Sequence, residues 1–118
     1  MSWNEHTKWF NNIIKNPSVH FYIICIDKTS AGQLRFELFE KKFLKTTIYL
    51  DKLFIGKGLG PQALNLGCSL ISEKYRRGTF IAYIKDNNKT SIKAFQKSGF
   101  SYCESHIMDN HITMSREF

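Results

Sequence analysis

The chain has 118 residues, of which 42% are hydrophobic and 14% aromatic, and its formal net charge at pH 7 is +7. This composition is typical of one packed globular domain over residues 1–118, and it excludes a disordered chain. No apolar run reaches about 18 residues, the length of a membrane span, and the first ten residues lack the order of a signal peptide, so we expect a cytoplasmic protein without a membrane partner.

The positive charge favours an anionic partner, which could be nucleic acid, a membrane surface or a phosphorylated small molecule. The lysines are spread along the sequence rather than grouped in blocks, which argues against a nucleic-acid-binding stripe. Cys25, Cys68 and Cys103 are widely spaced, and neither a Cys-x-x-Cys nor a His-Cys spacing is present. We therefore expect reduced thiols and no metal site.

The first predicted element is a helix. Ser2 and Glu5 form a capping box at its start, and Asn16-Pro17 ends it. Its apolar positions, at helical spacing, are His6, Trp9, Phe10, Ile13 and Ile14.

Three strands are predicted next. HFYIICI (20–26) is a continuous apolar run, which predicts a strand buried on both faces. GQLRFELFE (32–40) alternates apolar and polar residues and predicts a half-buried strand, and TTIYLD (46–51) predicts the third.

A glycine-rich stretch, FIGKGLGPQAL (54–64), separates these strands from a predicted helix over 61–77. Pro61 suits the first turn of that helix, and Gly78 suits the C′ position after its end. TFIAYIK (79–85) then predicts a fourth strand.

The last elements begin with a short helix that Asn88 caps and Gly99 closes. Strands are predicted over 100–107 and 111–117, joined through Asp109-Asn110. The order α-β-β-β-α-β-α-β-β indicates a mixed α/β fold.

A strand that ends in glycines and opens a helix is suited to bind an anion. Its backbone N–H groups converge, and the helix N-terminus adds about half a positive charge. Neither a Walker loop nor a dinucleotide fingerprint is present. A tight turn without any ligand would use the same glycines, so the turn alone leaves both interpretations open.

A second stretch points to the ligand. IGKGLG (55–60) and NKTSIKAFQKSGF (88–100) together resemble two motifs of the GCN5-related N-acetyltransferase (GNAT) family. The first corresponds to that family's pyrophosphate loop, and the resemblance extends from about residue 20 to the end of the chain. The matching residues are Gly58, Gly60, Asn88, Ser91, Phe95, Lys97, Gly99 and Phe100.

The resemblance implies a mainly antiparallel sheet with flanking helices, acetyl-CoA as the co-substrate, no metal and no nucleic acid. It implies that the pyrophosphate binds the amides of residues 56–60, and that strand 48–50 diverges from strand 81–84 to admit the pantetheine. Backbone amides near Tyr49 and Leu50 would hold the thioester carbonyl. The cofactor-binding residues implied are Ile48, Tyr49, Leu50, Gly56, Lys57, Gly58, Leu59, Gly60, Asn88 and Phe95.

The sequence departs from the family at several positions. Ile55 stands where the family has arginine or glutamine, and Phe95 stands where many members have a tyrosine that protonates the departing thiolate. Tyr83 stands where amino-terminal protein acetyltransferases often have a glutamate base, and a phenol with a pKa near 10 is a poor base at neutral pH. Glu37 and Tyr83 are the candidate catalytic residues.

The chain looks short at its N-terminus beside the family, so we expect the usual first strand and helix to be missing and strand 20–26 to have an open edge, covered by a homodimer or another partner. EHTKWF and GQLRF look most like the branch that acetylates the 4-amino group of nucleotide-linked sugars. The predicted function is therefore N-acetylation of a small-molecule primary amine, plausibly such an aminosugar. The alternatives are an amino-terminal protein acetyltransferase, or a truncated, non-catalytic domain that binds CoA or a partner.

Overall fold

The computed structural model describes residues 7–11, 18–27, 29–104 and 109–118, with residues 7–11 described by their backbone alone. They form a seven-stranded sheet in the order β1-β2-β3-β4-β5-β7-β6. The strands are β1 (Thr7–Asn11), β2 (Val19–Ile26), β3 (Thr29–Phe39), β4 (Phe43–Leu50), β5 (Thr79–Lys85), β6 (Ser101–Tyr102) and β7 (His111–Glu117). The helices are α1 (Leu59–Lys74) and α2 (Lys89–Lys97).

Every strand pairing in this sheet is antiparallel except that of β4 with β5, which is parallel. Both helices contribute to one hydrophobic core with the inward residues of β2, β3, β4, β5 and β7. The predicted mixed α/β, mainly antiparallel fold is confirmed. No helix in the described ranges is long and apolar enough to cross a membrane.

The predicted N-terminal helix is wrong over the residues that the structure describes. Thr7–Asn11 is strand β1, which pairs antiparallel with β2 and places Trp9 opposite Ile24. This pairing gives hydrogen-bond partners to the backbone groups at the edge of β2. Such a tertiary interaction can override helix propensity, and the spacing of apolar residues in the sequence does not reveal it. The capping residues Ser2 and Glu5 lie outside the described residues.

Strand β1 also corrects the expectation of a missing first strand and an open edge at 20–26. It lies along that edge from Thr7 opposite Ile26 to Asn11 opposite Tyr22. The reason for expecting a homodimer or a covering partner at this edge is therefore removed.

Helix α1 lies close against the sheet because small residues face it. Gly60, Ala63, Leu64, Gly67, Cys68 and Ile71 are buried. A Cβ at Gly67 would stand 2.3 Å from Cδ2 of Leu34 and 3.1 Å from the Phe36 ring, so only glycine fits there without a shift of the core. The absent side chain at Gly67 sets how closely the helix approaches β3.

Two element ends differ from their predicted positions. Helix α1 stops at Lys74, and Tyr75 is extended with φ −119° and ψ 125°, so Gly78 is not its C′ residue. Gly78 instead packs beside Phe118, whose ring a Cβ would approach to 2.7 Å. Of the strand predicted over 100–107, Ser101–Tyr102 is strand and residues 105–108 lie outside the described residues.

Candidate active site

Strands β4 and β5 separate partway along their length. They pair through Phe43–Thr79, Leu44–Phe80 and Lys45–Ile81. Beyond this point β4 continues to Leu50 and β5 to Lys85 without further pairing between them. The divergence implied for 48–50 and 81–84 is present as a wedge-shaped gap in the middle of the sheet.

The gap leaves alternate backbone groups of β4 without a strand partner. The N–H of Asp51 donates to the carbonyl of Ala31, 2.8 Å away, so this residue faces β3. In an antiparallel pair, the backbone N–H groups of successive residues point alternately towards the partner strand and away from it. The backbone N–H of Tyr49 is therefore also directed towards β3, and the N–H groups of Ile48 and Leu50 are directed into the gap. Two donors are thus directed to one side of the opening.

The glycine turn lies at the end of the gap where α1 begins. Gly56 and Gly58 have φ angles of +81° and +77°, and a Cβ at either one would meet no protein atom within 4 Å. The positive φ angles explain why glycine is required at both positions. The empty space beside them would allow a ligand to approach the backbone closely. Gly58 is the N-cap of α1 and provides no side-chain cap, so the first N–H groups of the helix remain available.

The start of α1 packs against α2. A Cβ at Gly60 would lie 3.3 Å from the Cβ of Ala94, so the two helices nearly touch here. Pro61 lies in the first turn of α1 and has no N–H, which removes one donor from the turn.

The second motif encodes the ends of α2. Asn88 caps it by accepting a hydrogen bond from the N–H of Ser91 at 3.1 Å. At its other end, Gly99 has φ +89°, the N–H of Phe100 donates to the carbonyl of Phe95, and their rings meet edge to face at 4.9 Å. This is a Schellman motif with its usual hydrophobic contact, so Gly99 and Phe95 have structural roles in addition to any part in binding.

The gap, the glycine turn and α2 enclose a cavity of about 510 Å³, here called the strand-gap cavity. Seven residues predicted to bind the cofactor line it: Ile48, Tyr49, Leu50, Gly56, Gly58, Gly60 and Asn88. Lys57 and Leu59 belong to the turn but do not line it, and Phe95 is 3% exposed in the core.

Other lining residues were not predicted. They are Ile55, Pro61, Thr90, Ser91, Lys93, Ala94 and Lys97. Most are on α2 or at the turn, and Lys93 and Lys97 place positive charge at the cavity. A spacing of four residues on a helix could have indicated that these lysines share one face.

The two candidate catalytic residues lie on the sheet face away from the helices, and neither lines the strand-gap cavity. Glu37 is half exposed and pairs with Arg35 at 2.7 Å. Burial raises the pKa of Tyr83, and Glu40 and Cys103 raise it further. The Lys45 ammonium lies 5.9 Å from the centre of the Tyr83 ring. Tyr83 therefore remains protonated at neutral pH, as a proton donor rather than a base.

A second concavity, here called the sheet-face depression, has a volume of about 260 Å³. It is lined by Phe21, Ile23, Ser30, Gly32, Gln33, Tyr49 and Asp51. Phe21 and Ile23 are only half-buried, so β2 is not covered on both faces as its apolar sequence predicted. Tyr49, which is 58% exposed, lines both concavities and connects them.

The cysteines and the possible metal ligands of the described residues form no second reactive or metal-binding site. Burial raises the pKa of Cys68 to about 12, although Arg116 acts to lower it, so this thiol stays protonated. Cys25 and Cys103 are half-buried and form no disulfide. Within the described ranges no group of three His, Cys, Asp or Glu side chains could hold a metal ion.

The chain belongs to the Acetyltransferase (GNAT) domain family, which matches residues 1–101. No curated protein matches the chain. The fold is similar to Campylobacter jejuni N-acetyltransferase PseH in complex with acetyl coenzyme A, with a TM-score of 0.72 and 16% identity over 87% of this chain and 70% of that one.

Two further structures are similar. AAC(6')-Ib in complex with ribostamycin and coenzyme A has a TM-score of 0.73 and 16% identity over 84% of this chain and 64% of that one. RimL, an alpha-N-protein acetyltransferase in complex with coenzyme A, has a TM-score of 0.72 and 18% identity over 84% of this chain and 62% of that one. At these identities the similarity shows the fold.

Proposed function

We propose that this protein is an acetyl-CoA-dependent N-acetyltransferase that acts on a primary amine of a small molecule. The observation that carries the proposal is the meeting of the strand gap and the glycine turn in one cavity. Family membership supports it, as do similar structures solved with acetyl coenzyme A or coenzyme A.

The residues present fit this co-substrate. The amides of 56–60 would hold the pyrophosphate, since a Cβ at Gly56 or Gly58 would stand in otherwise empty space. The N–H groups of Ile48 and Leu50 would donate to the thioester carbonyl, where negative charge develops as the amine attacks. Acetyl-CoA supplies the activated acetyl group, and the thiolate of CoA departs.

The sheet-face depression is the proposed acceptor position, because Tyr49 connects it to the strand-gap cavity. Asp51 contributes a carboxylate to its lining. With the chain at +7, a polycationic acceptor would be repelled at long range, and an anionic carrier such as a nucleotide would be attracted. A nucleotide-linked 4-aminosugar is the acceptor that best fits this charge.

The amine must lose a proton before or during the attack. Glu37 is the proposed base, acting through water, because Tyr83 stays protonated. Phe95 has no hydroxyl and Tyr83 does not line the strand-gap cavity, so water is the proposed proton donor to the departing thiolate. Transfer is direct, without an acyl-cysteine, because no cysteine lines the strand-gap cavity.

An amino-terminal protein acetyltransferase is the second candidate, and RimL is the similar structure that favours it. Tyr83 in place of a glutamate base argues against it. A domain that binds CoA without turnover is the third candidate, favoured by the high pKa of Tyr83 and by the pairing of Glu37 with Arg35.

The test is calorimetric titration with acetyl-CoA, followed by a thiol-release assay. Nucleotide-linked aminosugars, free aminosugars and peptides with free amino termini are compared as acceptors, with acetyl-CoA alone as the control for hydrolysis. We expect saturable binding and release with the nucleotide-linked aminosugars. Release with peptides alone would favour the second candidate, binding without release the third, and an absence of binding would refute all three.

A further inference from the structure

Helix α2 carries three lysines, Lys89, Lys93 and Lys97, spaced four residues apart. Residues at i and i+4 are neighbours on one face of a helix, so these three form a column along α2. All three are exposed, and no carboxylate in the described part of the chain forms an ion pair with them. The helix thus aligns three lysine charges on one exposed face.

The N-terminal part of this column does not stabilise the helix, although Lys97 lies in the last turn, where the helix dipole favours a basic residue. Like charges at i and i+4 repel, and Lys89 lies in the first turn, where the helix dipole favours acidic residues. That turn contains no acidic residue. An anion outside the helix would offset the repulsion between these neighbouring lysines.

Two members of the column face the strand-gap cavity and one does not. Lys93 and Lys97 line the cavity, whereas Lys89 is absent from its lining. Between them in sequence lies Ala94, which nearly touches Gly60 at the start of α1. Lys93 and Lys97 are therefore carried on the part of α2 that borders the helix N-terminus proposed for the pyrophosphate.

We propose that Lys93 and Lys97 bind the 3′-phosphate of the cofactor's adenosine and thereby select CoA over 3′-dephospho-CoA. This inference rests on the proposed function. Backbone N–H groups of the glycine turn serve the pyrophosphate, and Pro61 limits how many more phosphate oxygens they can serve. A terminal phosphate dianion requires additional positive charge, and a lysine ammonium on a flexible stem supplies it as a point charge.

The experiment compares the affinities of CoA and 3′-dephospho-CoA by calorimetry. We expect the parent chain to bind CoA roughly tenfold more tightly, the effect of two partly exposed ion pairs. Lys93→Gln with Lys97→Gln should remove this preference and leave the affinity for 3′-dephospho-CoA within about twofold of the parent. Lys89→Gln is the matched control and should retain the preference.

Three results would overturn the inference while leaving the proposed function intact. They are a parent that binds both ligands equally, a double variant that loses affinity for both ligands alike, and a Lys89→Gln variant that loses the preference to the same extent. If the parent binds neither ligand, the proposed function fails as well. The melting temperature of the double variant should stay close to that of the parent, because the substitutions remove a like-charge repulsion together with the favourable last-turn position of Lys97.

Discussion

Helices α1 and α2 both border the strand-gap cavity, and they contribute different chemical groups to it. Helix α1 lies close against the sheet through small buried residues and offers the backbone of its first turn. Helix α2 buries Ile92 and Phe95 and offers side chains, namely those of Asn88, Lys93 and Lys97. A site that uses backbone groups requires particular φ angles and empty space, whereas a site that uses side chains requires spacing along a helix.

Because of this difference, we expect substitutions in the two helices to have different effects. Substitutions at buried or positive-φ positions of α1 should change stability or basic cofactor binding. Substitutions on the exposed face of α2 should change selectivity with little effect on folding.

Gly67→Ala should destabilise the fold most, because the new methyl group would stand 2.3 Å from Cδ2 of Leu34. Overpacking of this kind costs about 1–3 kcal/mol. Chemical denaturation measures the loss, with the exposed Ser69→Ala on the same helix as the control. Equal stability of the two variants would show that α1 does not depend on the glycine contact.

Gly58→Ala should weaken CoA binding by at least roughly thirtyfold, about 2 kcal/mol, because its Cβ would occupy the space proposed for a phosphate. Gly99→Ala is the matched control. Gly99 has φ +89° and Gly58 has φ +77°, so both variants carry similar backbone strain, but Gly99 does not line the cavity. Calorimetry showing the same CoA affinity for the two variants would place the phosphate elsewhere.

Asn88→Ala should cost about 1 kcal/mol of stability, because it removes the cap that bonds to the N–H of Ser91. Asn88→Asp should keep the cap and the stability, yet lower CoA affinity by adding negative charge to a cavity proposed for phosphates. Thermal denaturation and calorimetry on both variants separate the two roles. If Asn88→Asp binds CoA as tightly as the parent, Asn88 contributes a cap alone.

His20 should make a small, pH-dependent contribution at the other end of α1. Its Nε2 lies 2.8 Å from the Tyr75 hydroxyl, and burial lowers its pKa, with a further lowering by Lys74. The unfolded chain takes up a proton near pH 6.5 and the folded chain only at lower pH. The stability contributed by neutral His20 is therefore present above about pH 6.5 and is lost as the pH falls towards the folded pKa.

His20→Gln should accordingly lessen the fall in melting temperature between about pH 7.5 and about pH 5. His111→Gln is the control, since His111 lies at the start of β7, far from α1 in the chain, and its ring bonds to the nearby carbonyl of Asp109. Identical pH profiles for parent and His20→Gln would show that this contact does not titrate.

The sequence predicted much of the cofactor side of the molecule because its signals are local. Glycines before a proline-containing helix indicated the turn, and Asn88 and Gly99 indicated both ends of α2. The gap between β4 and β5 was inferred from family resemblance, since no local pattern reports where two distant strands stop pairing.

Other features depended on tertiary contacts and were missed or misplaced. Thr7–Asn11 pairs with β2 although its spacing is also compatible with a helix, and Gly78 is required by the Phe118 ring rather than by a helix end. The sheet-face depression draws its lining from β2, β3 and β4, so it has no sequence signature. The spacing of the lysines becomes informative only once α2 is assigned, because residues four apart then lie on one face of the helix.

The central claim is that the glycine turn and the open edge of β4 together hold acetyl-CoA. An amide-resolved NMR titration of the full chain with CoA tests it most directly. We expect the largest shifts on the amides of 56–60, on Ile48 and Leu50, and on Lys93 and Lys97. The amide of Tyr49, which is directed towards β3, should shift less. Saturable shifts confined to residues outside the strand-gap cavity would contradict it.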